Sequence, residues 1–175
     1  MKQSARPLFV MLAAILVAVL GTQSAAADGG VVYAQSSFCV SANAQSTLNH
    51  TTKTISASAR TTARLSSSDA HRCDTFDVWT PGTLYVNITL FKWSLKRSQW
   101  EVCTAGGSTF NTTWTDQVSV EVMFGAGATY PCWDPTEGAT TQRPTYYMTS
   151  SNSYVWTGTD WRGGLKYSNI HSAPA

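Results

Sequence analysis

The chain has 175 residues, 43% hydrophobic and 13% charged, with a formal charge of +2. Lys2 and Arg6 supply that excess, and without them ten basic residues balance ten acidic ones, which argues against nucleic acid and anionic membrane surfaces as partners. About 148 residues follow the first 27, enough for one domain with one core and too few for two.

The N-terminal segment has the three parts of an export signal. Lys2 and Arg6 form a basic start, residues 8–20 (LFVMLAAILVAVL) an apolar run, and Ala25, Ala26 and Ala27 a small-residue cleavage site before Asp28. The run is shorter than the roughly 20 residues that span a bilayer. The expected organisation is a signal peptide over 1–27 and a secreted domain over 28–175, with no membrane insertion once the leader is cleaved. Four cysteines behind such a leader, Cys39, Cys73, Cys103 and Cys132, read as two disulfides formed in an oxidising compartment, and no CxxC pair suggests a metal.

Strand patterning dominates the rest. Weak alternation at Phe38, Val40, Ala42 and Ala44 and at Ile55, Ala57 and Ala59 precedes a polar loop over 65–82. In 84–93, Leu84, Val86, Ile88 and Leu90 share one face, while Tyr85, Asn87, Thr89, Phe91 and Trp93 share the other; the first face belongs in a core. A five-residue loop over 94–98 would join this strand to 99–103, pairing Trp93 with Gln99, Lys92 with Trp100, Leu90 with Val102 and Thr89 with Cys103. That register points Cys103 outward, and alternation does the same for Cys39. Both cysteines are then expected to tie down loops, with Cys39–Cys73 and Cys103–Cys132 as the favoured bridges; the other connectivities stay open.

Residues 104–113 read as a loop. Val118, Val120, Val122 and Phe124 form a second core stripe opposite Ser119 and Glu121, and 125–145 reads as a further loop. Strands over 146–157 and 161–170 flank a Thr-Gly-Thr-Asp turn at 157–160. No sustained helical period follows the leader. The expected fold is all-β: a single-domain antiparallel β-sandwich, immunoglobulin-like or a partly open barrel, of about seven short strands.

Chemistry is sparse. His50, His71 and His171 stand in no nucleophile signature and read as surface groups, the last near a frayed end. The carboxylate pairs Asp134/Glu137 and Glu101/Glu121 fit a glycosidase poorly, and Asp74/Asp77 or Asp134/Glu137 fit turn capping better than calcium. N-x-S/T sequons at Asn49, Asn87 and Asn111 read as chance matches in a Ser/Thr-rich chain if its source is bacterial, and as glycan acceptors in a eukaryotic secretory pathway. No cofactor, metal or catalytic residue is expected. The functional lead is aromatic: Phe91, Trp93 and Trp100, with Lys92 beside them and Lys96 and Arg97 at the same tip, form a candidate platform for stacking on sugars or peptides.

Phe76-Asp77, the strand 84–93, Trp100-Glu-Val-Cys103, Pro131-Cys132, and Trp161-Arg-Gly-Gly164 with Ser168 together resemble a group of small secreted actinobacterial β-proteins. The likeness covers roughly two-thirds of the secreted part. It implies a bacterial secreted β-protein with two disulfides and carries no function or site residue across. The segment after Cys132 (WDPTEGATTQRP) departs from the group by lacking its Gly-rich stretch. The functional expectation is a secreted, non-enzymatic interaction or surface-associated protein acting on an extracellular glycan or protein. Two narrower alternatives accompany it: a carbohydrate or cell-wall binding module, and an inhibitor of a secreted hydrolase presenting the 125–145 loop.

Overall fold

A computed structural model describes residues 23–25, 29–35, 37–65, 77–138 and 144–174. In chain order these form β1 (Gln23–Ala25), β2 (Gly30–Ala34), β3 (Phe38–Asn49), β4 (Thr54–Leu65), β5 (Leu84–Ser94), β6 (Gln99–Phe110) and β7 (Gln117–Phe124). A one-turn helix α1 (Pro135–Gly138) and the strands β8 (Thr145–Trp156), β9 (Trp161–Tyr167) and β10 (His171–Ala173) follow. The expected leader boundary after Ala27 lies outside the described residues.

Two antiparallel sheets make a sandwich. The first runs β3-β4-β7, with β1 and β2 both paired to β3; the second runs β6-β5-β8, with β9 and β10 both paired to β8. Among the described residues no ladder joins the two sheets, so the architecture is a sandwich and not a closed barrel. Among the described residues ten strands replace the expected seven, because the additions, such as β1, β2 and β10, are three to five residues long, too short to show a period.

The core follows from alternation. Leu84, Val86, Ile88 and Leu90 of β5 are at most 1% exposed and share one core with the first sheet's Val40, Leu48, Ile55, Ala57, Ala59 and Ala63. Burial of each large aliphatic side chain contributes about 1.5–3 kcal/mol. On β8 the inward positions between Tyr147 and Val155 are small hydroxyl residues, Thr149, Ser151 and Ser153, all buried. With the alanines opposite, they bring the sheets close. Val118 and Phe124 of β7 are buried and Val120 and Val122 pack against the core, while Ser119 and Glu121 are exposed, as the alternation implies.

The β5–β6 hairpin departs from the sequence reading. Ser94 pairs with Gln99, Trp93 with Trp100, Lys92 with Glu101 and Phe91 with Val102, so the loop has four residues and the register moves by one. Ser94 looked like loop because it is polar, yet it is buried, with its hydroxyl donating to Glu137 Oε1 at 2.8 Å. Ser98, at a left-handed φ of 52°, sits at the end of the shorter turn. Beyond Phe91 the register jumps, pairing Leu90 with Thr104 and leaving Cys103 as the extra residue of a bulge. The bulge turns Cys103 toward the core instead of outward, where it forms the expected disulfide with Cys132, Cα–Cα 5.7 Å. This is the one disulfide with both halves among the described residues. Cys39 is buried and disulfide-bonded, and its expected partner Cys73 lies outside the described residues.

Residues 104–110, expected as loop, continue β6. Gly106 and Gly107 hid the strand from a side-chain pattern, and the structure needs them: a Cβ on Gly106 would lie 2.8 Å from Phe124 Cζ, and one on Gly107 2.8 Å from Val120 Cγ2.

His171 is neither frayed nor solvated. It lies on β10, 1% exposed, with Nε2 2.8 Å from Ser46 Oγ on the opposite sheet. Ser46 Oγ donates to Ser168 Oγ at 3.0 Å, and Ser168 donates to the Asn169 carbonyl at 2.9 Å, so the imidazole donates to Ser46. Burial, with a smaller contribution from His50, holds its pKa below the usual histidine value. The unfolded chain therefore takes up a proton first as pH falls. Stability from this group is complete above about 6.5 and declines from there toward the lower folded pKa. Urea unfolding should show a lower midpoint at pH 5.5 than at pH 7.5 in the wild type, and a smaller drop in His171→Gln; equal drops would refute the assignment.

Candidate binding face

Alternation leaves the outer face of the second sheet to the other half of each strand. Here the ladder β6-β5-β8-β9 sets rings side by side at both ends. At one end Tyr85 pairs with Phe110 on one side and Tyr154 on the other, and Trp156 pairs with Trp161. Ring centroids lie 4.8 Å apart for Tyr85–Phe110, 5.9 Å for Phe110–Trp161 and 5.6 Å for Trp156–Trp161. At the other end Phe91 stands 5.9 Å from Tyr167, and Trp93 5.5 Å edge-on from Trp100. Tyr85 and Phe91 are six residue steps apart on β5, roughly 20 Å at the rise of a strand.

Between the two ring clusters the face is uncharged, a polar row on β6, β5 and β8 that ends on the exposed Leu165 of β9. Asn87 pairs with Asn152, whose amide donates to Asn87 Oδ1 at 2.6 Å, and Thr89 and Ser108 flank them. The face is open to solvent: Phe110 is 46%, Trp161 42% and Tyr167 44% exposed, with Val102 at 64%. Tyr85, Phe91, Trp93 and Trp100 are half-buried, each leaning on a neighbouring ring. Such edge-to-face contacts hold the rings in fixed orientations.

Phe91, Trp93 and Trp100 are thus brought together as the sequence indicated. Lys92 is not with them. It continues the inward stripe after Leu90, is 8% exposed, and places Nζ 2.8 Å from Glu137 Oε2 and 3.1 Å from the Cys132 carbonyl it donates to. Glu101, its cross-strand neighbour, shares that inner register instead of facing outward, and pairs with Arg97 at 3.2 Å. The second ring cluster was missed. Trp156 and Trp161 have plain strand signals, but which strands flank β5 is a matter of sheet order, and Phe110 lay in a segment without a pattern.

The other chemical candidates are occupied structurally. Asp134 caps α1, accepting from the Thr136 amide at 2.8 Å and hydroxyl at 2.7 Å ahead of Pro135 at the first helical position. Those bonds hold its carboxyl below the usual range. Glu137 is held low first by Lys92 and then by Ser94. The two carboxylates therefore serve separate partners, and Glu101 and Glu121 stand on different sheets. Asp77 accepts from the Val78 amide, while Asp74 and His71 lie outside the described residues. His50 is half-buried, its Nδ1 3.0 Å from the Tyr130 hydroxyl. Among the described residues no three His, Cys, Asp or Glu side chains gather as metal ligands. Asn111 is buried with its amide fully engaged and presents no free side chain for glycosylation, while Asn49 Oδ1 accepts from the Thr51 and Thr52 amides.

No family model, curated protein or solved structure matches this chain. A disulfide is consistent with an oxidising, extracellular setting, and among the described residues no helix is long and apolar enough to cross a membrane.

Proposed function

We propose that the protein is a secreted, non-enzymatic interaction module that binds neutral polysaccharide along the outer face of its second sheet. The carrying observation is the pair of exposed ring clusters separated by an uncharged row of amides and hydroxyls. Rings stack on the C–H faces of sugars while amides exchange hydrogen bonds with sugar hydroxyls, and a spacing of roughly 20 Å suits an extended chain better than a single sugar. A charged partner would gain nothing from this row. The inhibitor reading rests on a different feature, residues 125–129, which are exposed while Cys132 and Pro131 behind them are tied down.

The test is co-sedimentation with insoluble cellulose, chitin and bacterial cell wall. Trp161→Ala with Trp93→Ala should weaken retention at least tenfold, about 1 kcal/mol for each ring lost. Trp114→Ala, on the β6–β7 connection and 63% exposed, should leave retention unchanged. Undiminished retention by the double variant would remove the sheet face as the contact surface.

A further inference from the structure

A concave feature lies at the end of the sandwich that carries the β3–β4 turn. His50 and Lys53 come from the β3–β4 turn, Thr129, Tyr130 and Trp133 from the connection after β7, and Pro174 follows β10; together they line a cleft of about 350 Å³. That is within the range of small-molecule sites, which start at about 300 Å³.

The walls are braced. The Cys103–Cys132 disulfide, the Lys92 bond to the Cys132 carbonyl and the Tyr147 hydroxyl donated to the Pro131 carbonyl at 2.9 Å fix the connection on which Tyr130 and Trp133 sit. Tyr130 is buried, its ring 6.4 Å edge-on from His50 and 6.4 Å from Tyr147 behind it. A site ordered in advance loses little entropy on binding.

Its charge is one-sided. Lys53 is half-buried and donates to the Ala128 carbonyl, using one of three ammonium hydrogens. Among the described residues no carboxylate lines the cleft, and Lys53 enters none of the ion pairs. With its Nδ1 engaged by Tyr130, His50 has its other ring nitrogen as a second polar contact. Trp133, Tyr130 and Pro174 offer flat apolar surface beside the cation.

We infer that this cleft binds a small ring carrying a carboxylate, the acid group on Lys53 and the ring against Trp133 and Tyr130. The inference does not rest on the polysaccharide reading, since none of its residues belongs to the sheet face.

The experiment is titration of the 15N-labelled full secreted protein with benzoate, glucuronate, glucose and acetate, followed through the Trp133 indole and Lys53 amide signals. Benzoate or glucuronate should saturate these signals at millimolar concentration, with glucose (ring without charge) and acetate (charge without ring) at least tenfold weaker. Either order of the two acids supports the site, and that order distinguishes an aromatic ligand from a sugar acid. Lys53→Gln, which keeps a donor for Ala128, should lose binding at least tenfold with an unchanged Tm, and Lys53→Arg should retain it. Trp161→Ala should have no effect, which separates failure here from failure of the sheet face. Absence of saturable shifts, glucose binding as tightly as glucuronate, or full binding by Lys53→Gln would each overturn the inference.

Discussion

Asn111→Asp is expected to destabilise the protein by on the order of 4 kcal/mol, the largest effect of any near-isosteric change in the described chain. Asn111 is 4% exposed and knots together the start of β5, the end of β6 and the segment before them. Its Oδ1 accepts from the Leu84 amide at 2.8 Å, and its Nδ2 donates toward the carbonyls of Thr80 at 2.9 Å, Thr113 at 3.0 Å and Trp79 at 3.3 Å. A carboxylate has the same shape and no donor, so a buried negative charge would face three carbonyl oxygens. Orphaned buried groups cost about 1–3 kcal/mol each, and the charge adds to that. Urea unfolding of the variant decides the matter; a loss below about 1 kcal/mol would mean that water replaces the network.

Lys92→Met is expected to cost about 3 kcal/mol, the lower end for orphaning one member of a buried ion pair, because both side chains keep about a tenth of their surface in solvent. Glu137 would keep its bond from Ser94 but lose the ammonium that holds its carboxyl ionised. The double variant Lys92→Met with Glu137→Leu should recover most of the loss, since a matched apolar pair leaves no charge behind. Thermal melts of the three proteins test this. A double variant no better than the sum of its singles would show that the two side chains act independently. The pair also has a pH signature. A carboxyl whose folded pKa lies below its unfolded value contributes fully above about 4.5 and loses that contribution as pH falls through the folded pKa, a range distinct from that of His171.

The sandwich was legible where one face is apolar and the other polar. The stripe Leu84, Val86, Ile88, Leu90 and the stripe ending in Phe124 specify their inward faces because only one arrangement buries them. Legibility failed where the same face mixes chemistries. Lys92 and Ser94 continue β5's inward stripe as polar residues, and their burial depends on Glu137, more than forty positions away and on a helix of four residues. Alternation also carries no information about bulges, so Cys103 was pointed the wrong way. A segment such as Thr104-Ala-Gly-Gly-Ser-Thr109 has no periodic side chains to read, although the glycines are what let β6 pass close to β7. His171 was misplaced because a three-residue strand near the chain end has no sequence signature of its own.

The aromatic face was half legible for a related reason. Phe91, Trp93 and Trp100 gather through one hairpin, which is local in sequence, and a one-residue error in register brought Trp93 and Trp100 near each other without pairing them. The partner cluster of Tyr85, Phe110, Trp156 and Trp161 assembles from four strands separated by up to 76 positions, and nothing short of the sheet order places Trp161 beside Phe110. Once β8 is placed between β5 and β9, each strand needs only its own alternation to complete the surface.

Aromatic and amide chemical-shift mapping with soluble β-linked oligosaccharides of increasing length tests the proposed contact surface most directly. The reading requires shifts at both ring clusters and at the Asn87 and Asn152 side-chain amides, with affinity rising once the oligosaccharide is long enough to bridge the two clusters. Shifts confined to the Ser/Thr-rich outer face of the first sheet, or no saturable shifts on the second, would contradict it.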